Sequence, residues 1–409
     1  MMDKRFFHRF KYLIFSTILA ASLASCTSVG PTILPPNREA YNRSLAESSN
    51  SQMLLNIVRL RYGDTPYFLN VDTISAAMEF TTSGNAKAGF SHTTRKPSSD
   101  EKNDELLKNA YSENAVAQDV GIGVSFTDKP TILYRPLQGS IFADQTLSPI
   151  DMQTLYWLNQ SGWRLSEIFR ICGLRVAGLS NAPEASRLAS SRAPDYLTYK
   201  LFVDKLDVLE LNHIVRIEAA RLKQEDSSAN REKNTEHRTP ELSASNGNVI
   251  AMRVIFTGSS QQKQQYMQWL QMLHTQQFLP TVNFIHSSIP KINANTFGIQ
   301  TRSLMGILYL FSKGVDLPEE AIQNKTAPIT YDNGHPFDWQ QVLANLFHVY
   351  YQNNYPAGAY LAIQHRGGWY YIADDDIKSK ETFDLLQLIF SIQAGDSRSA
   401  ISVTPVISV

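Results

Sequence analysis

The chain has few cysteines, no excess charge of either sign and no long apolar run. Its 409 residues contain two cysteines, Cys26 and Cys172, which excludes a framework of several disulfides. Lys+Arg and Asp+Glu stand at 38 each, so the basic excess that nucleic acid demands is missing, and nucleic acid is not expected as a partner. The nine histidines occur at none of the i, i+2 or i, i+4 spacings that zinc uses, and HExxH does not occur. A G-x-S-x-G elbow, a P-loop and a dinucleotide fingerprint are also lacking; Gly121-Ile122-Gly123 has no third glycine at the right distance. No catalytic residue, metal or cofactor is therefore nominated. The apolar stretch Tyr12–Ala21 falls well short of the roughly 20 residues of a spanning helix.

What that stretch does fit is a secretion signal. Lys4, Arg5, Arg9 and Lys11 give a basic start, and Leu23-Ala24-Ser25-Cys26 closes the segment with small residues before a cysteine. These four residues resemble a lipobox, in which the Cys26 thiol receives diacylglycerol. Residues 1–25 then read as a lipoprotein signal peptide and Cys26 as the lipidation site. The signal carries the four bases against Asp3, so from a formal net charge of 0 its removal leaves the mature chain at about −3. Thr27 stands where aspartate would favour inner-membrane retention; by resemblance to enterobacterial-type sorting, outer-membrane delivery is implied. Residues 26–37 (CTSVGPTILPPN) read as the lipidated cysteine and a proline-rich extended tether of roughly 35–40 Å reach.

The rest is globular in composition, 43% hydrophobic and 11% aromatic. Arg38–Arg61 predicts a helix with Leu45, Met53, Leu54, Ile57, Val58 and Arg61 near one face. Residues 67–90 look strand-like with weak alternation, and 91–119 read as a polar insertion. Val120–Thr127 alternates as a half-buried strand, Asp128-Lys129-Pro130 reads as a turn, and Thr131–Tyr134 as a second short strand. Ser148-Pro149-Ile150-Asp151 reads as a helix start with Ser148 as N-cap. A small-residue linker over 182–194 marks a domain boundary, giving an N-terminal α+β region at 38–194 and a C-terminal α+β domain at 195–409. In the latter, strands at Val215–Ala220 and Val249–Phe256 enclose 223–248, a mobile loop with too little apolar surface to order. Gly367-Gly368 predicts a hairpin turn between Ala359–His365 and Trp369–Ile372. A helix over Ser379–Gln393 and a strand over Ile401–Val409 follow. Interleaved helices and recurring hairpins specify α+β, with mostly antiparallel sheets and two subdomains.

Asn56–Tyr62 (NIVRLRY), Pro130–Gly139 (PTILYRPLQG), Thr301-Arg302-Ser303 and Tyr370-Tyr371-Ile372 with Asp375-Asp376 and Ser379–Phe383 together resemble a family of uncharacterised Gram-negative lipoproteins. The resemblance covers most of the mature chain and supports the envelope assignment; it implies no activity.

Several residues have two readings. Asp374-Asp375-Asp376 reads as a solvated turn before a helix, against a divalent-cation site. Cys172, inside Ile168–Cys172, reads as a small core residue, against a reactive thiol. Arg59, Arg61 and Arg302 read as structural cations, against ligand binding. His365-Arg366 reads as a hairpin end, and Trp369-Tyr370-Tyr371 as a partly covered strand, against a carbohydrate platform. The expectation is an outer-membrane, lipid-anchored periplasmic protein, a non-enzymatic assembly or scaffold component with protein partners in the envelope. The alternatives are an envelope hydrolase whose site assembles in space, and a subunit giving hairpins to an oligomeric pore. In the last case, Val120–Thr127 falls short of the ~9–11 residues of a spanning strand.

Overall fold

The computed structural model describes residues 30–90, 116–188, 192–223 and 248–394. Cys26, residues 91–115 of the polar insertion expected at 91–119, residues 224–247 of the expected loop and the strand expected at Ile401–Val409 lie outside them; residues 116–119 of that insertion belong to a strand instead.

Among the described residues two compact units are present, 69–137 and the remainder. Both 194 and 195 fall within the second. Its first element is α1, Gly30–Tyr62, a 33-residue helix. It takes in most of the stretch expected as an extended tether. Pro31 sits in the first turn, where a missing N–H costs nothing, and Pro35 and Pro36 follow within two turns of the start. Met53, Leu54, Ile57 and Val58 are 0–2% exposed, as their spacing predicts. Glu39–Ser49 is exposed or half-exposed throughout. Asn56 ties the segment after the helix back onto it by exchanging two hydrogen bonds with the Tyr67 backbone, donating to its carbonyl at 2.7 Å and accepting from its N–H at 2.9 Å.

The smaller unit is one antiparallel ribbon, β1 (Leu69–Phe90) and β2 (Val116–Pro136), of 22 and 21 residues. The two short strands expected around Asp128-Lys129-Pro130 are therefore one strand. Pro130 pairs opposite Ala76 without breaking it. In a two-stranded ribbon every strand keeps an open edge, and there a proline forfeits no ladder bond.

In the larger unit follow α2 (Ser140–Leu147), α3 (Met152–Gln160), α4 (Leu165–Cys172), β3 (Gly173–Val176), β4 (Leu179–Ser180) and α5 (Leu197–Leu211). The expected cap at Ser148 is displaced. Ser148 ends α2, and Asp151 caps α3, its carboxylate accepting from the Thr154 N–H at 2.6 Å. Next come β5 (Val215–Lys223), β6 (Asn248–Phe256), α6 (Lys263–Met272), β7 (Thr281–His286), β8 (Thr296–Thr301) and α7 (Leu304–Ser312). Ser303 caps α7, accepting from the Gly306 N–H. Lys223 and Asn248, assigned from sequence to the loop, pair as the last rung of β5 and β6. The chain closes with α8 (Glu319–Gln323), β9 (Tyr331–Asp332), β10 (His335–Pro336), α9 (Gln340–Leu343), β11 (Tyr350–Gln352), β12 (Ala359–His365), β13 (Gly368–Ala373) and α10 (Ile377–Ala394).

The main sheet runs β4-β3-β8-β7-β6-β5, antiparallel except for β7 beside β8. Those parallel neighbours are joined by a loop that folds back over β8. A Cβ on Gly298 would lie 2.0 Å from the Ile289 carbonyl oxygen, so only glycine lets the loop pass. Phe169, Phe202, Trp269 and Phe284, all fully buried, interlock between sheet and helices. A second sheet, β11-β13-β12, is antiparallel. Its hairpin turn sits one residue earlier than expected. Arg366 and Gly367 take the positive φ angles, 49° and 85°, and His365 pairs with Gly368. Gly368 is needed for space, because a Cβ there would meet the Tyr351 ring at 2.2 Å. Among the described residues the fold is α+β, with ten helices and mostly antiparallel sheets.

Candidate functional site

The sequence offers a scattered set of chemical groups, and most of the described ones are bound to the protein itself. Arg302 is 2% exposed. Its guanidinium donates to the Gly173 carbonyl at 2.5 Å, to those of Ala182 and Asn181, and to the Ser186 hydroxyl at 3.1 Å. Burial lowers its pKa to about 10, so it stays charged at neutral pH while satisfying the carbonyls where α4 meets β3. Arg61 donates to the carbonyls of Val315 and Pro328, at 3.2 and 2.9 Å, and burial lowers it to about 10 as well. Arg59 donates to the Asn56 side-chain oxygen at 3.4 Å. Cys172 is fully buried, and burial pushes its thiol up to about 12. A thiol so protonated is a poor nucleophile.

His365 and Arg366 meet the end of α1. Arg366 donates to both Asp64 carboxylate oxygens at 3.1 Å and stacks 4.5 Å over the Tyr62 ring. His365 packs edge-on against that ring, and burial lowers its pKa. Beneath them the Tyr62 and Tyr370 hydroxyls lie 2.5 Å apart. Burial raises both phenols, holding them neutral. Tyr370 is fully buried, whereas Trp369 and Tyr371 are half-buried, so the three aromatics alternate across β13 and make no continuous platform.

In the acidic triplet, Asp374 pairs with Lys380 at 2.7 Å. Asp376 caps α10, accepting from the Ser379 N–H and hydroxyl at 3.0 and 2.7 Å. Among the described residues no group of three or more His, Cys, Asp or Glu is placed to hold a metal. A cleft of about 500 Å³ is lined by Asn159, Arg164, Glu210, His213 and Arg216 among others. The Glu210 carboxylate is engaged with the Leu165 and Ser166 N–H groups at 2.8 and 2.9 Å, at the start of α4. Burial raises its pKa against those bonds. His348 and Asp316, 2.8 Å apart, form a pair that no local sequence pattern announces, the partners being 32 residues apart.

One arrangement extends the alternation read at Val120–Thr127. In the ribbon, opposed positions share a face, and over Phe80–Phe90 and Val116–Phe126 the register sorts the sequence cleanly. One face holds the pairs Phe80/Phe126, Thr82/Val124, Gly84/Ile122, Ala86/Val120, Ala88/Gln118 and Phe90/Val116. The other holds Thr81/Ser125, Ser83/Gly123, Asn85/Gly121, Lys87/Asp119 and Gly89/Ala117. Every charge in the segment lies on the second face. The signal was present in the even-numbered residues from Val116 to Phe126, but without a register the strand carried no partner and no length.

No protein-family model, curated protein or solved structure matches the chain. Among the described residues no helix is long and apolar enough to cross a membrane, which says nothing of a β-barrel.

Proposed function

We propose that the protein is an outer-membrane-anchored periplasmic lipoprotein of the kind its sequence segments resemble, a non-enzymatic assembly component of the envelope. The observation that carries this is α1. Its start at Gly30 lies four residues after Cys26, and it runs to Tyr62 in the core. A helix of 33 residues spans about 50 Å. A lipid on Cys26 would thus be followed almost at once by a stiff spacer whose far end is built into the folded body. A stripe on α5 supports protein partners: Leu197, Leu201, Val208 and Leu211 are 46–69% exposed and fall on one helical face.

The test is fractionation after metabolic labelling with palmitate. Wild type should carry label and sediment with outer membranes. Cys26→Ala should lose the label and either become soluble or remain an uncleaved precursor. A cleaved Cys26→Ala product that still sediments with membranes would refute the anchor. A second reading, a subunit of an oligomeric pore, is favoured by the ribbon alone and is developed next.

A further inference from the structure

We propose that the ribbon is a membrane-spanning element, and that copies of this chain place their ribbons edge to edge to close a transmembrane β-barrel. The proposal deepens the envelope reading and rests on it for the site of action, but its evidence is separate. A two-stranded ribbon is marginal in water, and this one has 22 and 21 residues per strand, about 70 Å of ladder. Among the described residues neither strand pairs with a third. Among the described residues each strand therefore keeps an edge with no strand beside it, a template for another strand.

The segment Phe80–Phe90 with Val116–Phe126 meets the requirements of lipid. It has about eleven residues per strand, the length that crosses a bilayer when tilted. One face is apolar apart from Thr82 and Gln118, and it ends in phenylalanines, Phe80 and Phe126 at one border and Phe90 at the other. Spanning barrels carry an apolar band with aromatic borders on the lipid side and a polar, small-residue lining within. The opposite face supplies that lining: Thr81, Ser83, Asn85, Ser125, glycines, and Lys87 opposite Asp119.

Within hydrocarbon every backbone group must be paired, so an isolated ribbon is excluded and closure is obligatory. The occupant that closes it is a second copy. β1 of one copy beside β2 of the next continues the antiparallel order, a head-to-tail contact that repeats until the ring shuts. Membrane barrels start at roughly eight strands, so two per copy require about four copies or more. Below the band, Leu133 and Tyr134 are 57% and 53% exposed in the single chain, so apolar surface at the other end of the ladder also lacks a cover.

The experiment uses full-length lipidated protein reconstituted in phosphatidylethanolamine/phosphatidylglycerol vesicles. Single cysteines carrying a small fluorophore are placed at Thr82, Ile122 and Val124 and at Thr81, Ser83 and Ser125; Cys172 is fully buried and stays unlabelled. The expected result is a period of two. The first set is quenched by spin-labelled acyl chains and the second by aqueous iodide, with preferences differing at least about fivefold between faces. Detergent-solubilised protein should run as a ring of about four or more copies, and Ile122→Glu with Val124→Glu should abolish acyl-chain quenching while leaving the melt of the body unchanged. Uniform iodide access, acyl-chain quenching without alternation, or a monomer in membranes would overturn the proposal; protection from both quenchers would mean that the ribbon docks on another protein. Membrane-bound wild type with non-alternating probes removes the barrel and leaves the anchor. Alternation in vesicles with no lipid on Cys26 does the reverse.

Discussion

Lys313 is the residue at which burial and charge conflict most directly. It is 5% exposed, donates its Nζ proton to the Leu188 carbonyl at 2.5 Å, and lies 5.7 Å from the Trp339 ring. Loss of hydration, helped by Arg61, lowers its pKa to about 7 from 10.5. Between those values the unfolded chain binds more protons than the native one, so stability rises with pH. The contribution is complete above about 10.5 and is lost as pH falls through about 7. Lys313→Met should accordingly be more stable than wild type at pH 6, by on the order of 2 kcal/mol, and lose most of that advantage by pH 10. Urea melts of both proteins at the two pH values decide it; parallel pH dependence would rule the lysine out. Nothing in the local sequence marks Lys313, or the hydroxyl pair of Tyr62 and Tyr370, because their hydrogen-bond partners lie more than a hundred positions away. Cys172 was legible for the opposite reason, since its own neighbours Ile168, Phe169 and Ile171 bury it.

Elements with a local period were readable, and those that depend on a partner were not. The inward face of α1 and the β12–β13 hairpin follow from spacing and turn chemistry alone. β2 did not, because Asp128-Lys129-Pro130 has the composition of a turn and only an open edge makes it tolerable in a strand. The turn at Arg366-Gly367 was misplaced by one residue because two adjacent glycines serve different ends, one backbone angle and one clearance. Glycines with these two roles should respond differently to a methyl group. Gly367→Ala has open space but a φ of 85°, and should cost about 1 kcal/mol. Gly298→Ala drives a Cβ to 2.0 Å from the Ile289 oxygen and should cost several-fold more, or prevent folding. Thermal melts of the two variants check the ranking; equal losses would mean that the loop over β8 yields freely.

For the whole molecule, chain ends far apart in sequence form one body. Arg61 reaches Val315 and Pro328, Asp64 reaches Arg366, and Asn50 accepts from Gln387 at 3.0 Å. The buried Ile363, Tyr370, Ile372, Phe383, Leu386 and Ile389 belong to that body. A fragment ending at residue 357 should therefore be insoluble or rapidly proteolysed. Recovery of soluble 38–357 with a cooperative melt would instead make the terminal sheet and helix a separable module. The same closure sets an order of events during synthesis. The helix α1 is made early, yet Arg61, Asp64 and Asn50 meet Val315, Arg366 and Gln387 only after 254, 302 and 337 further positions have followed. For that interval the leading segment is a newborn rod whose partners do not yet exist, and its inward face waits on the tail.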